Sequence, residues 1–293
     1  MMFDTSFIKK AEMYALIAAI LNGLIGVFTR LAFEFDNELS PSALAFFKCF
    51  FAFLLVAVVC VIQPKRINKV ALLAKQWYKF ALLSFLGIFC LYFFETWAFS
   101  KASIPLVSFL TYASGVVTLL LAMLFLNEKI TSHKMIAFAS IISGVCLLFL
   151  FEQGVSGSIW GMVLALLGGL GYSLFIFLSK VLSIGSGLAQ LFWLFAFGSV
   201  YLFLPWYAQG MQLPSGMAWL MIACLVLLPT IGGFYFTTKA VQYGQASKVQ
   251  IIETSDPMFA TLFAFVVFGD TLGWFGYLGT GFILFGLLLS VKK

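Results

Sequence analysis

Ten stretches of about 20 almost wholly apolar residues follow one another along this chain, separated by short polar breaks. They cover roughly 12–33, 42–63, 78–100, 104–126, 134–151, 158–180, 187–207, 217–239, 248–268 and 272–291. The hydrocarbon core of a bilayer is about 30 Å thick, which a helix of about 20 apolar residues crosses. A soluble domain has nowhere to put that much apolar surface. Composition agrees: the 293 residues are 63% hydrophobic and 10% charged, with a mean hydropathy of +1.08, against about 25% charged in soluble domains. The first run is long enough to span and is followed by more of the same, so insertion is expected rather than removal of a signal sequence.

Charge placement gives an orientation. With the N-terminus in the cytoplasm, fourteen of the seventeen basic residues fall at cytoplasmic ends, among them Lys10, Lys65, Arg66, Lys69, Lys129, Lys134, Lys180, Lys239, Lys248, Lys292 and Lys293. Arg30 and Lys101 fall outside and Lys48 lies within the second run. Positively charged loops are retained in the cytoplasm, so both termini are expected inside, in a multi-pass protein of a bacterial inner membrane.

The halves repeat. At a constant offset of 142 residues Ala98 meets Ala240, Phe125 meets Val267, Glu128 meets Asp270 and Gly144 meets Gly286. Five spans per repeat is odd, so the second copy is turned over. The expected fold is therefore an all-α integral membrane protein, ten transmembrane helices as two inverted five-helix repeats, 1–151 and 152–293. Inverted repeats around a midplane site are a common transporter architecture.

Ionisable groups within a span cost about 2.5–3.5 kcal/mol each on insertion scales, which makes them functional candidates. The ninth run carries Glu253 and Asp256, three apart and on one helical face, and Pro257 frees the Glu253 carbonyl one turn earlier. They read as an acidic cavity wall for a cationic group or a proton, or alternatively as partners of Lys248 or Lys239. Glu95 shares a face with Tyr92 and Phe99; its alternative is an ion pair with Lys101 or Arg30. Lys48 either snorkels outward on its long stem or pairs with a carboxylate. Small and hydroxyl residues on the first, fourth, sixth and eighth runs serve close helix packing. Of these, Asn22, Tyr112 and Tyr172 join Tyr92 as candidates, because a buried phenol needs a partner. Trp97 and Trp193 are candidate walls. The expected substrate-binding set is Asn22, Tyr92, Glu95, Trp97, Tyr112, Tyr172, Trp193, Glu253 and Asp256. Tyr14, Trp77, Tyr78, Trp160, Trp206, Tyr207, Trp219 and Trp274 fit interfacial belts.

Other chemistry finds no motif. The chain has no G-x-x-x-x-G-K-[ST] phosphate loop and no H-E-x-x-H; its single His133 has no partner, and the five cysteines lie in apolar runs without metal-ligand spacing. No cofactor, metal, nucleic-acid partner or enzymatic activity is expected; the partners are a small-molecule substrate, membrane lipids and a coupling proton.

Pro41 with Lys48 seven residues on, the stretch LLLAMLFLNEKIT at 119–131 and the stretch DPMFATLFAFVVFGDTL at 256–272 together resemble the EamA-type members of the drug/metabolite transporter superfamily, over essentially the whole chain. Family repeats often carry a proline with an acid thirteen residues later, a pattern kept by Pro257 and Asp270; in the first repeat Gly115 stands in place of the proline ahead of Glu128. The resemblance implies alternating access around a central cavity and export of amino acids or related metabolites. A multidrug or quaternary-cation exporter, or an integral membrane enzyme, are the alternatives.

Overall fold

A computed structural model of the chain describes residues 5–129, 131–151, 157–269 and 274–291. Among the described residues the regular elements are all helices, and the only β-type pairing is an isolated antiparallel bridge between Ala102 and Gly157. In chain order the helices are α1 (Lys10–Phe35), α2 (Pro41–Ile62), α3 (Pro64–Phe99), α4 (Ile104–Phe125), α5 (Ser132–Phe151), α6 (Ile159–Val181), α7 (Leu188–Ala208), α8 (Ala218–Tyr243), α9 (Ala246–Phe268) and α10 (Trp274–Val291). Among the described residues α1–α4 and α6–α9 are long and apolar enough to cross a bilayer. The acidic cap expected at Asp270 and the basic pair Lys292 and Lys293 lie outside the described residues.

The stretch 64–77 reads as a polar connection in the sequence, yet Pro64–Leu73 is helical and forms an arm at the start of α3. Proline is favourable at a first helical position, where its missing N–H has no intrahelical partner to lose. The arm keeps its basic side chains toward solvent and buries Val70.

Three spans are interrupted. The α1 span divides at Gly23, α4 at Ser114 and Gly115, and α9 at Thr254 and Ser255. In α9 the cause is Pro257, which has no N–H to give the Glu253 carbonyl. No proline sits at the α4 break. There the Ser114 hydroxyl donates to the Leu110 carbonyl at 3.2 Å and to the Leu166 carbonyl of α6 at 3.3 Å, drawing the backbone toward a neighbour. The spans α3 and α8 each contain π-helical turns, Phe85–Cys90 and Val226–Gly233, of the kind that recur at functional sites.

These irregularities repeat at the 142-residue offset that also separates Ser140 from its hydrogen-bond acceptor, the Phe282 carbonyl, at 2.8 Å. The π turns of α3 and α8 coincide under it, and so do the breaks of α4 and α9 to within two residues. Between α5 and α10 the contact is reciprocal. A Cβ placed on Gly144 would stand 2.4 Å from the Gly279 carbonyl oxygen, and one on Gly286 would stand 2.6 Å from that of Ala137. Residues late in α5 thus meet residues early in α10 and the reverse, so the two helices run antiparallel about a local two-fold axis. Small residues let the backbones approach this closely.

Loop contacts sort the helix ends into two faces. On one, Lys248 ion-pairs with Glu12 and Lys134 reaches Gln245 and Ser247. On the other, Asp36 accepts from the Ser215 backbone and hydroxyl at 2.7 and 2.9 Å, and Ser158 N–H donates to the Lys101 carbonyl at 3.1 Å. This is the alternation that successive crossings produce. Most of the expected belt aromatics are exposed, Trp77, Tyr78, Trp160, Tyr207 and Trp274 foremost. Trp206 is not: it is buried, stacked on Phe46 at 4.4 Å, and donates its indole N–H to the Gln212 carbonyl at 2.8 Å.

Candidate functional site

The break in α9 places its two acids where regular helix gives way. Glu253 closes the first segment and is fully buried. Its Oε2 accepts from the Tyr172 hydroxyl at 2.7 Å and its Oε1 from the Thr237 hydroxyl at 2.8 Å, with the two hydroxyls 3.1 Å apart. A carboxylate from α9 is therefore bound by a phenol from α6 and a threonine from α8. The lysines that offered an alternative partner are engaged elsewhere: Lys248 with Glu12, and Lys239 above the Tyr235 and Tyr14 rings at 4.5 and 5.3 Å.

Asp256 opens the second segment of α9, at a helix N-terminus whose dipole favours negative charge. It is buried, and its Oδ2 has no hydrogen-bond partner. Tyr112 lies near enough to hydrogen-bond its carboxyl group, and Glu95 and Glu253 near enough to act on it electrostatically. Glu95, from α3, is also buried and its Oε2 is likewise unpartnered. The surface partners considered for Glu95 are taken, since Arg30 pairs with Glu34 at 2.9 Å and Lys101 lies 5.8 Å above the Trp97 ring.

Lys48 does not snorkel. It is 1% exposed, donates to the Thr96 hydroxyl at 3.1 Å and sits 4.2 Å above the Tyr92 ring. Its charge acts on Glu95, but among the described residues the ion pairs are Arg30–Glu34 and Lys248–Glu12, so Lys48 touches no carboxylate. Buried charges are normally paired and hydrogen-bonded. One cation and three acids from α2, α3 and α9 here share an interior in which only Glu253 has both its oxygens hydrogen-bonded.

Aromatic rings join the parts. Tyr112 meets Tyr172 at 6.0 Å, and Phe234 meets Tyr172 at 6.2 Å and Tyr92 at 5.8 Å. Asn22, at the break of α1, lies against the π turn of α8, where a Cβ on Gly233 would stand 2.1 Å from its Oδ1. The structure therefore gathers Asn22, Tyr92, Glu95, Tyr112, Tyr172, Glu253 and Asp256. The two tryptophans lie apart. Trp97 donates to the Ser42 hydroxyl at 3.2 Å, at the start of α2, and Trp193 donates to the Val70 carbonyl at 3.0 Å and stacks on Phe197.

Three participants are missing from the expected set: Thr237, Gln250 and Phe234. Thr237 stands 142 residues after Glu95, so the repeat itself marks the position. Gln250 precedes Glu253 by three residues in an otherwise apolar turn; its Oε1 accepts from Thr118 at 3.1 Å and its Nε2 is buried without a partner beside Gly115. Nothing in the sequence separates Phe234 from the other 35 phenylalanines.

A charged clamp closes one end of the bundle. Glu128 accepts from the Ala246 and Ser247 amides at 2.9 and 3.1 Å and from the Ser247 hydroxyl at 2.5 Å, capping the N-terminus of α9. Lys180 donates to the Val241 carbonyl at 3.0 Å and the Gly244 carbonyl at 2.5 Å, at the C-terminus of α8. Each charge complements the dipole of the helix end it holds. Among the described residues no group of three or more His, Cys, Asp or Glu comes together as a metal site requires.

The chain matches the model of the EamA-like transporter family twice, over residues 9–150 and 159–292. An uncharacterized transporter of Archaeoglobus fulgidus is 24% identical over 286 residues, 97% of each chain. A solved structure described only as the crystal structure of a protein superposes with a TM-score of 0.79, covering 96% of both chains at 14% identity, which is a likeness of fold.

Proposed function

Because the chain belongs to the EamA-like transporter family, we propose that it is a secondary transporter that exports amino acids or related small amines across a bacterial inner membrane. In this reading α5 and α10 complete ten spans, the halves are inverted repeats with both termini in the cytoplasm, and the solute passes between them by alternating access. The reciprocal antiparallel contact of α5 with α10 supports the inversion.

One observation carries the substrate class. Glu95 Oε2 and Asp256 Oδ2 are buried acceptors without donors, and such groups are costly unless a partner arrives. A primary ammonium brings three N–H donors and a positive charge to that place. Lys48, buried without a carboxylate, supplies the complementary end for a solute that also bears a carboxylate, as an amino acid does. A quaternary ammonium has no N–H to give these oxygens, and the Tyr92 face that would cradle it already carries Lys48; the primary amine is the better fit. Glu253, held by Tyr172 and Thr237, is the group we assign to proton coupling.

Purified protein in liposomes, given radiolabelled amino acids, simple primary amines and quaternary amines in counterflow, tests this. Flux of amino acids above that of quaternary amines is expected. Flux of quaternary amines alone would replace the substrate class, and product formation without flux would make the chain an enzyme.

A further inference from the structure

A cavity of about 450 Å³ opens on the face that carries the clamp, between the α3 arm, the start of α7 and α8. It is remote in composition from the buried acids. Its mouth is lined by Lys65, Arg66 and Lys69 of the arm, and α8 contributes Leu227, Ile231 and Tyr235 to its wall. No acidic residue lines it, and among the described residues none of the three basic side chains forms an ion pair. At the junction stands Gln190, 3% exposed, whose Nε2 donates to the Ile184 carbonyl and whose Oε1 has no partner.

Leu227, Ile231 and Tyr235 are spaced by four along α8 and all line the cavity, so they form one apolar ladder. Leu227 is 58% exposed although it lies inside a span, so the ladder is open to the surrounding acyl chains. A basic mouth, a buried hydrogen-bond acceptor and an apolar ladder in that order match a phospholipid from phosphate to tail. Basic pockets between helices on the cytoplasmic side are suited to anionic headgroups.

We propose that this cavity binds an anionic phospholipid with a hydroxyl-bearing headgroup. The phosphate lies among Lys65, Arg66 and Lys69, a headgroup hydroxyl donates to Gln190 Oε1, and an acyl chain follows Leu227, Ile231 and Tyr235. The lipid thereby bridges the α3 arm to α8, the span whose π turn borders the buried tyrosines. The site does not depend on what the protein transports.

The test compares the parent with a Lys65→Gln, Arg66→Gln, Lys69→Gln variant in detergent. Titrated phosphatidylglycerol, phosphatidylcholine of the same chains, and inorganic phosphate are read by native mass spectrometry and thermal stability. The parent should bind phosphatidylglycerol and gain stability from it, with affinity about 100-fold lower in the variant, from about fivefold per basic side chain. Both proteins should melt alike in phosphatidylcholine. Equal phosphatidylglycerol binding by parent and variant would overturn the proposal, as would a stability gain from inorganic phosphate matching that from the lipid. Ile231→Trp fills the ladder and keeps the charges; it should weaken lipid binding, and undiminished binding by it would overturn the acyl placement even if the triple variant does not survive purification.

Discussion

Glu128 gives the most quantitative prediction. Replacing it by alanine removes three hydrogen bonds, two to the first amides of α9 and one to the Ser247 hydroxyl. Loss of a helix N-cap costs about 0.5–2 kcal/mol, and hydrogen bonds to charged groups contribute about 1.5–3 kcal/mol each. Water reaches this helix end once the side chain is gone, which returns part of that energy, so the net loss is about 3 kcal/mol. At about 2 °C per kcal/mol for a chain of this size, fluorescence-detected unfolding in detergent should show Glu128→Ala melting about 6 °C below the parent. Glu128→Gln keeps an acceptor oxygen and loses the charge against the helix dipole, worth about 1 kcal/mol, so it should fall between the two. In a double-mutant cycle with Ser247→Ala the coupling should be about 1 kcal/mol. A Glu128→Ala protein melting within about 1 °C of the parent, or a cycle with no coupling, would show that the clamp does not hold this end of the bundle.

Other expectations follow from single contacts. Gly144→Val and Gly286→Val press a side chain onto a carbonyl at 2.4 and 2.6 Å from opposite halves; both should destabilise, by about 1–3 kcal/mol or more and to similar extents, and a large asymmetry in their melting temperatures would contradict the local two-fold. Tyr172→Phe removes a donor from Glu253 Oε2 and should cost about 1–3 kcal/mol while lowering flux in liposomes; unchanged flux and stability would remove Tyr172 from the site. Lys48→Met keeps the stem and deletes the cation, so amino-acid flux should fall while flux of amines lacking a carboxylate persists; equal loss of both would refute the carboxylate role.

Much of the fold was legible because lipid imposes a simple rule. A backbone in hydrocarbon must satisfy its own hydrogen bonds, so long apolar runs can only be helices, and the 142-residue offset exposed the repeat. The departures came where local chemistry opposed the rule. The Pro64–Leu73 arm looked like a connection because its charges masked one buried face. The α4 break carries no proline, and its cause, a serine reaching across to α6, is a tertiary contact.

The site was legible in its acids for a related reason: a charge within an apolar run is costly and stands out. Lys48 was visible too, but only the fold shows that it stays inside, between Thr96 and Tyr92. Tryptophan was a poorer guide. Trp97 and Trp193 each satisfy an indole N–H at a helix end or on the arm, and size and polarity alone do not separate that use from a cavity wall. Thr237 and Gln250 were hidden among hydroxyl and amide residues that serve packing.

The central claim is that the buried acids of α9 handle the transported amine and its coupling proton. Uptake of a labelled amino acid into liposomes driven by an imposed proton gradient measures it directly, comparing the parent with Glu253→Gln and Asp256→Asn at matched protein content. Both substitutions preserve shape, and each should abolish flux. Full transport by both variants would contradict the account.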